Sequence, residues 1–149
     1  MSNSVGAGSP AVQGVEHWTS KGDVRLFLWR KAPKAATMGT VLFVHGSSMA
    51  SQPTFDLHVP GRPDSSVMDW FAARGFDTWC MDNEGYGRSD KKRPINFDIS
   101  NGADDLAAGS EYILKTTGAK KLFVYGISSG ALKAALFAQR HPERVARVA

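Results

Sequence analysis

The residues best suited to covalent chemistry lie in one short stretch, residues 126–130, with the sequence GISSG. A serine hydroxyl becomes an effective nucleophile when a general base takes its proton and preorganised donors meet the oxyanion that forms. In a GxSxG pattern the two glycines leave room for a sharp strand-to-helix turn that exposes the central serine. The spacing predicts that Ser128 is a nucleophile and that Gly126 and Gly130 permit the turn. The alternative is an ordinary turn in which Ser128 caps a helix.

The sequence on either side of this stretch favours the nucleophile. Residues 122–125 form a short apolar run rich in strand formers, and from Ser129 onward small and aliphatic residues recur at helical spacing until His141 and Pro142. The helix would direct its positive end toward Ser128. Ile127, between the first glycine and the serine, is interpreted as a packing residue.

Apolar runs and turn residues predict the other elements that position this turn. The predicted strands are residues 15–19, 24–30, 40–44, 76–81, 122–125 and a last one that begins at residue 145. From residue 40 onward the order is β, α, β, α, β, α, β. That order predicts an α/β fold with a mostly parallel sheet and helices on both faces.

Two further helices are predicted from capping patterns. Ser66 fits a capping box with Asp69, and Asn101 can cap a helix with Asp104 three places on. Val67, Trp70 and Phe71 would share one face of the first helix, and Gly75 and Gly118 would end the two helices. Residues 47–65 contain several prolines and glycines and are predicted to form a long loop without a regular element.

Length and composition fit one ordinary globular domain. The chain has 149 residues, 42% of them hydrophobic. Residues 14–149 are interpreted as this domain, and residues 1–13, small and polar, as a disordered lead-in and not a signal peptide. No stretch is apolar enough to span a membrane, so a cytoplasmic location without a membrane partner is expected. The net charge of +4 comes from scattered basic residues, which argues against nucleic acid as a partner.

The sequence offers no second kind of chemistry. The single cysteine, Cys80, lies in an apolar strand pattern and is interpreted as a buried structural thiol, not a nucleophile. There is no metal-ligand spacing, phosphate-cradling loop or dinucleotide fingerprint. We therefore expect neither a metal nor a cofactor.

Three motifs together make the chain resemble the α/β-hydrolase family from about Val15 onward. They are His45 and Gly46 after the third strand, DxxGxGxS at residues 82–89 after the fourth, and GISSG after the fifth. The resemblance implies an eight-stranded sheet whose first strands are antiparallel to the rest, with this chain ending inside the sixth. Residues 55–77 look like the oxyanion loop and first helix of an esterase-like branch. Serine in place of aspartate argues against the dehalogenase and epoxide-hydrolase members.

The resemblance also implies the rest of the site. One oxyanion donor would be the backbone N–H of Ser129 and the other that of Ser47 or Ser48, with His45 and Gly46 supporting the loop. The family's catalytic Asp and His follow later strands, so both would lie outside these 149 residues. The chain is expected to be an incomplete serine hydrolase for a small acyl substrate, an ester or lactone, with a second chain supplying the remainder. A non-catalytic remnant or binding subunit is the alternative.

The histidines and carboxylates inside the chain have other interpretations. His45 is interpreted as shaping the oxyanion loop, and His17 lies far from Ser128 in sequence. His141 would lie roughly 18 Å from the turn along the helix, which excludes it as the base. His58, in the long loop, stays open as a base. Asp82 and Glu84 are interpreted as organising their turn, with a catalytic acid as the alternative.

Overall fold

The computed structural model describes residues 12–36 and 38–149. The disordered lead-in predicted for residues 1–13 lies outside the described residues except for Val12 and Gln13. Among the described residues, no helix combines the length and the apolar character needed to cross a membrane.

Six strands form one mixed sheet in the order β1-β2-β4-β3-β5-β6. The strands are β1 (Val15–Lys21), β2 (Val24–Lys31), β3 (Gly39–Val44), β4 (Phe76–Met81), β5 (Leu122–Gly126) and β6 (Val145–Val148). β2 is antiparallel to both of its neighbours, β1 and β4, whereas the remaining pairs are parallel. The expectation that the first strands all run against the rest is therefore wrong, because the tight turn at Gly22 and Asp23 reverses the chain only once between β1 and β2.

Helices cover both faces of the sheet. They are α1 (Ser51–Phe55), α2 (Val67–Ala72), α3 (Ile99–Thr117) and α4 (Ser129–Arg140), followed by a short 3-10 helix (Pro142–Arg144). Alternate side chains of β3 enter two separate cores, because successive residues of a strand point to opposite faces. Leu42 and Val44 pack with α3 and α4, while Val41 and Phe43 pack with α1 and α2.

The long loop contains a helical turn that the sequence analysis did not predict. α1 begins at Ser51, whose N–H and hydroxyl both donate to Asp82 Oδ1, at 2.7 and 2.8 Å. Pro53 is tolerated because it lies in the first turn, where a backbone N–H has no partner within the helix. The prolines predict that the whole segment is irregular, but the contact of Ser51 with Asp82 fixes the start of a helix there.

Val67, Trp70 and Phe71 lie on one side of α2, as predicted, and line the same groove. Of these three only Phe71 packs against the core, whereas Val67 and Trp70 are 38% and 47% exposed. The fully buried residues of the helix are Met68 and Ala72. Ser66 does cap the helix, since its side chain accepts from Asp69 N, but the Asp69 carboxylate binds Lys31 of β2 at 2.8 Å. This tie to the sheet turns Met68 and Ala72 inward.

α3 begins three residues earlier than predicted. Asp98, not Asn101, is the N-cap: Asp98 Oδ1 accepts from Asn101 N at 2.8 Å, and Asn101 Oδ1 accepts from Asp98 N at 3.2 Å. Asn101 is thus the partner inside a capping box. Gly118 ends the helix with a left-handed φ of 73°, as predicted.

Candidate active site

The connection between β5 and α4 holds Ser128 in a strained backbone conformation. Its φ is 54° and its ψ is −130°, a region that glycine adopts freely and other residues rarely enter. Strain of this kind persists only where the surrounding structure imposes it, and it concentrates at functional sites. Ser128 lies at the tip of the turn, immediately before the first residue of α4.

Three glycines let the backbones around Ser128 approach each other. A Cβ on Gly126 would collide with the backbone of Gly130, and a Cβ on Gly130 would collide with the carbonyl of Val44. A Cβ on Gly46 would come within 2.9 Å of the Ser128 Cβ. The structure therefore brings these three predicted supporting glycines together around Ser128.

The loop after β3 and the start of α4 meet beside Ser128. The hydroxyl oxygens of Ser47 and Ser129 are 2.9 Å apart. The backbone N–H groups of Ser47, Ser48 and Ser129 donate to no acceptor within residues 12–36 and 38–149. Ser48 also has a positive φ, 62°. Two segments whose N–H groups have no acceptor among the described residues thus adjoin the turn at Ser128.

His45 is completely buried and bonded at both ring nitrogens. Its Nε2 accepts from Asn83 N at 3.1 Å, so the ring proton lies on Nδ1, which donates to Gly46 O at 2.7 Å. Burial lowers the pKa of His45, and the nearby Lys133 ammonium lowers it further. A neutral histidine with both nitrogens engaged fits the loop-shaping role.

The other histidines are bonded elsewhere in the described part of the chain. His17 Nδ1 lies 2.9 Å from the Tyr112 hydroxyl. His58 Nε2 lies 2.8 Å from Asp69 Oδ2, in the cluster around Lys31. His141 is the C-cap of α4, at the opposite end of that helix from Ser128. None of them forms a hydrogen bond with Ser128.

Asp82 organises the turn after β4. In addition to Ser51, its carboxylate accepts the backbone N–H of Arg88 at 2.8 Å. Ser89 Oγ donates to the Asp82 carbonyl at 2.6 Å and accepts from Phe27 N at 2.9 Å. Both carboxylate oxygens are engaged with groups of the fold, which agrees with the interpretation of Asp82 as a turn residue.

Glu84 ties the same turn to its neighbours. Arg93 donates two hydrogen bonds to its carboxylate, each 2.7 Å long, and Lys21 donates a third at 3.1 Å. The Arg93 hydrogen bonds are the main reason that the pKa of Glu84 lies below its usual value, with Lys21 acting in the same direction against the effect of burial.

Two buried lysines were missed by the sequence analysis. Lys31 lies between Asp56 and Asp69, with Nζ at 2.7 and 2.8 Å from their carboxylates. Asp56, His58 and Asp69 could together hold a metal ion, but the Lys31 ammonium already provides the positive charge there. Lys133, on α4, is 2% exposed and contacts the loop between β3 and α1 (residues 45–50) through the His45 carbonyl. The sequence did contain a signal for Lys133, because it is a charged residue on the face of α4 that otherwise carries Gly130, Ala134 and Phe137.

Cys80 is buried in β4, as predicted, and burial raises the pKa of its thiol well above the usual range. A thiol that stays protonated is a poor nucleophile. It has no part in the site.

The sheet order, the helix layers and the glycine-flanked turn at Ser128 define the chain as an α/β-hydrolase. Residues 35–149 match the family described as serine aminopeptidase, S33. The chain belongs to this family. No curated protein matches the chain in sequence.

Solved structures share the fold at low sequence identity. They include a predicted CIB-like hydrolase from Thermoplasma acidophilum (18% identity, TM-score 0.69, 92% of this chain and 61% of that chain). An esterase from Pyrococcus furiosus shares 19% identity at a TM-score of 0.69, over 89% of this chain and 49% of that chain. Epoxide hydrolase A from Mycobacterium thermoresistibile shares 25% identity at a TM-score of 0.69, over 91% of this chain and 38% of that chain. The chain thus spans roughly two fifths to three fifths of the length of these proteins.

Proposed function

We propose that this chain carries the nucleophile and the oxyanion hole of a serine hydrolase that cleaves a carboxylic ester, a lactone or a related acyl compound. Ser128 would attack the acyl carbon and form an acyl-enzyme, which water then hydrolyses. The observation that carries the proposal is the strained Ser128 beside two segments whose backbone N–H groups have no acceptor among the described residues. A capping serine would need neither the strain nor the donors.

Serine at this position favours acyl transfer over the chemistry of the epoxide hydrolase to which the fold is similar. The resemblance drawn from the motifs assigns a carboxylate nucleophile to the epoxide hydrolases, and residue 128 is a serine. The N–H groups of Ser129 and of Ser47 or Ser48 would bind the oxyanion, about 3 Å from each donor.

The general base and its orienting acid would come from sequence outside these 149 residues that carries the rest of the fold. Within the described residues, no histidine is bonded to Ser128. The solved hydrolases with this fold are also much longer. Without a base the serine hydroxyl stays protonated near neutral pH, so residues 1–149 alone should retain only a small residual rate.

Hydrolysis of a simple aryl ester tests the proposal. The native protein, purified from its source with whatever sequence accompanies residues 1–149, is compared with residues 1–149 expressed alone. Ser128→Ala in the native protein should lower kcat by several powers of ten, on the order of the losses measured for triad serines. Ser129→Ala, which keeps the backbone N–H, is the matched control and should retain most of the rate. Full activity in Ser128→Ala would refute the nucleophile.

A further inference from the structure

Lys133 is a buried lysine on α4, five residues after Ser128. It is 2% exposed, and its Nζ donates to Asn83 Oδ1 at 3.1 Å and to the His45 carbonyl at 3.4 Å. The ammonium also lies 5.5 Å from the ring centre of Tyr86 and 5.3 Å from that of Phe97, close enough for cation–π attraction. The charge is therefore held by two oxygens and two aromatic rings.

The hydrogen-bond partners of Lys133 connect it to the loop between β3 and α1, residues 45–50, which is the oxyanion loop of the proposed function. Asn83, which accepts from Lys133, donates its backbone N–H to His45 Nε2, and His45 Nδ1 donates to Gly46 O. Gly46 packs against the Ser128 side chain. Lys133 thus contacts the loop twice, once through the His45 carbonyl and once through Asn83 and the His45 ring.

The side-chain amide of Asn83 is fixed at both ends. Its Oδ1 accepts from Lys133, and its Nδ2 donates to Asp105 Oδ2 of α3 at 3.2 Å. Asp105 is itself fully buried and accepts the backbone N–H of Glu84 at 2.8 Å. Removal of the Lys133 ammonium would leave the buried Asn83 oxygen without this donor, which is costly in a buried site.

Apolar side chains in place of Lys133 and its polar partners together would cost less to bury. A buried ammonium loses its hydration, and buried ionic groups can often be replaced by apolar residues without loss of stability. The neighbouring buried positions of α4 are already apolar, among them Ala134 and Phe137. The charge at position 133 therefore points to a role that packing alone does not supply.

We propose that Lys133 is a positioning residue that holds the oxyanion loop in register with the nucleophile-bearing end of α4. The two donor segments of the proposed oxyanion hole belong to different elements, with Ser129 on α4 and Ser47 on the loop after β3. Lys133 joins them because its backbone belongs to α4 while its ammonium is bonded to the loop. This inference rests on the proposed function, but the structural tie itself can be measured without activity.

Two variants perturb this arrangement in different ways. Lys133→Met keeps most of the side-chain volume and removes the donors. Gly102→Ala keeps the lysine but places a Cβ 2.6 Å from its Cγ and Cδ, which displaces the side chain. Gly109→Ala is the matched control on the same helix, because its Cβ would lie 2.5 Å from the Met81 sulfur, a contact that belongs to the core. Lys133→Gln retains N–H donors without the charge, and it tests whether donors alone restore what Lys133→Met loses.

The first readout is the tautomer of His45, measured by ¹⁵N NMR on the native protein labelled with ¹⁵N-histidine. The wild-type chain should show a neutral ring with the proton on Nδ1. Lys133→Met and Gly102→Ala should lose that single signature, whereas Gly109→Ala should keep it. An unchanged His45 signature in both Lys133→Met and Gly102→Ala would overturn the inference, whatever the catalytic result.

The second readout is aryl ester hydrolysis by the native protein. A misplacement of about 1 Å can cost on the order of a hundredfold, so Lys133→Met should lower kcat by about ten- to a hundredfold with KM little changed. Lys133→Gln should recover part of the rate. Equal losses in Gly102→Ala and Gly109→Ala, or a wild-type kcat in Lys133→Met, would contradict the positioning role. A wild-type protein without hydrolysis would refute the proposed function instead, and the His45 signature would then decide the inference.

Discussion

At the scale of single residues, the fold holds the backbone of Ser128 in a strained conformation at the candidate site. A non-glycine residue with a φ of 54° and a ψ of −130° is held there against its own preference. Such strain costs on the order of 1–3 kcal/mol, which packing elsewhere must offset. The glycines at 46, 126 and 130 make the conformation possible because side chains there would collide with it.

Replacing Ser128 should separate strain from chemistry. Ser128→Gly should raise the free energy of unfolding relative to Ser128→Ala by about 1–2 kcal/mol, because glycine adopts this conformation without a Cβ penalty and alanine does not. Urea unfolding of residues 1–149 monitored by tryptophan fluorescence measures the difference. Equal stabilities of the two variants would mean that the residue is not strained.

The sequence predicted some residues of the site better than others. Ser128 and its glycines could be found because the motif is local, and the close approach that requires glycine follows from the sharp turn. Lys133 could not be assigned a role, because its partners Asn83 and His45 are 50 and 88 residues away in the chain. Only the folded chain brings these groups together.

At the scale of elements, the start of α3 depends on a local competition between two capping residues. Asp98 and Asn101 are both good N-caps, and the structure selects Asp98. The capping box adds a hydrogen bond from Asp98 N to Asn101 Oδ1. If the helix began at Asn101 instead, the Asp104 carboxylate would have to accept the equivalent bond from Asn101 N. Sequence spacing alone did not distinguish the two starts, since each residue has a polar partner three places on.

Substitution of the caps should show which of them begins the helix. Asp98→Ala should lower the free energy of unfolding by about 0.5–2 kcal/mol, the usual cost of losing an N-cap. Asp104→Ala, which removes only an exposed pair with Arg140, should cost about 0–1 kcal/mol. A larger loss for Asp104→Ala than for Asp98→Ala in urea unfolding would contradict the observed start.

The turn after β4 should make stability depend on pH. Arg93 and Lys21 hold the pKa of Glu84 below its usual value, so the folded chain keeps this carboxylate ionised at pH values where the unfolded chain protonates it. The resulting stability is present above the usual pKa of a glutamate and is lost as the pH falls through the lowered value in the folded chain.

Glu84→Gln should therefore flatten the loss of stability between about pH 5 and pH 3. Urea midpoints measured across this range give the comparison. Glu111→Gln is the control, since Glu111 forms an exposed pair with Lys115 on the surface of α3. If Glu84→Gln keeps the full wild-type pH dependence, the ion pairs of the turn do not act as the structure indicates.

At the scale of the whole molecule, one face of the sheet is only partly covered. The region between α2 and β6 is a groove with apolar side chains, and Tyr125 is 40% exposed there. The residues that line it include Val41, Phe71, Phe76, Phe123 and Val148. A contiguous apolar surface of this kind favours association with another polypeptide.

This groove should make residues 1–149 self-associate when expressed alone. Tyr125→Lys places a charge on the exposed groove and should shift the chain toward a monomer in sedimentation equilibrium. Leu132→Lys, at a site that is 60% exposed on α4, is a control for added charge outside the groove. A wild-type chain that is monomeric at high concentration would contradict the expectation.

The architecture as a whole followed from the sequence because strands and helices alternate with strong periodicity. The direction of β1 did not follow from the sequence, because the hairpin with β2 sets it and the apolar pattern of β1 does not. The residues that α2 buries most deeply, Met68 and Ala72, were not predicted, because the ion pair of Asp69 with Lys31 reaches from another element. Local patterns thus predicted the elements, and long-range polar contacts decided how they are turned.

Modification of the native protein by a fluorophosphonate tests most directly whether Ser128 is the nucleophile. This reagent forms a covalent adduct with an activated serine, and peptide mass spectrometry identifies the site. We predict an adduct at Ser128, formed much faster in the native protein than in residues 1–149 alone. An adduct at Ser47, Ser48 or Ser129, with Ser128 unmodified, would contradict it.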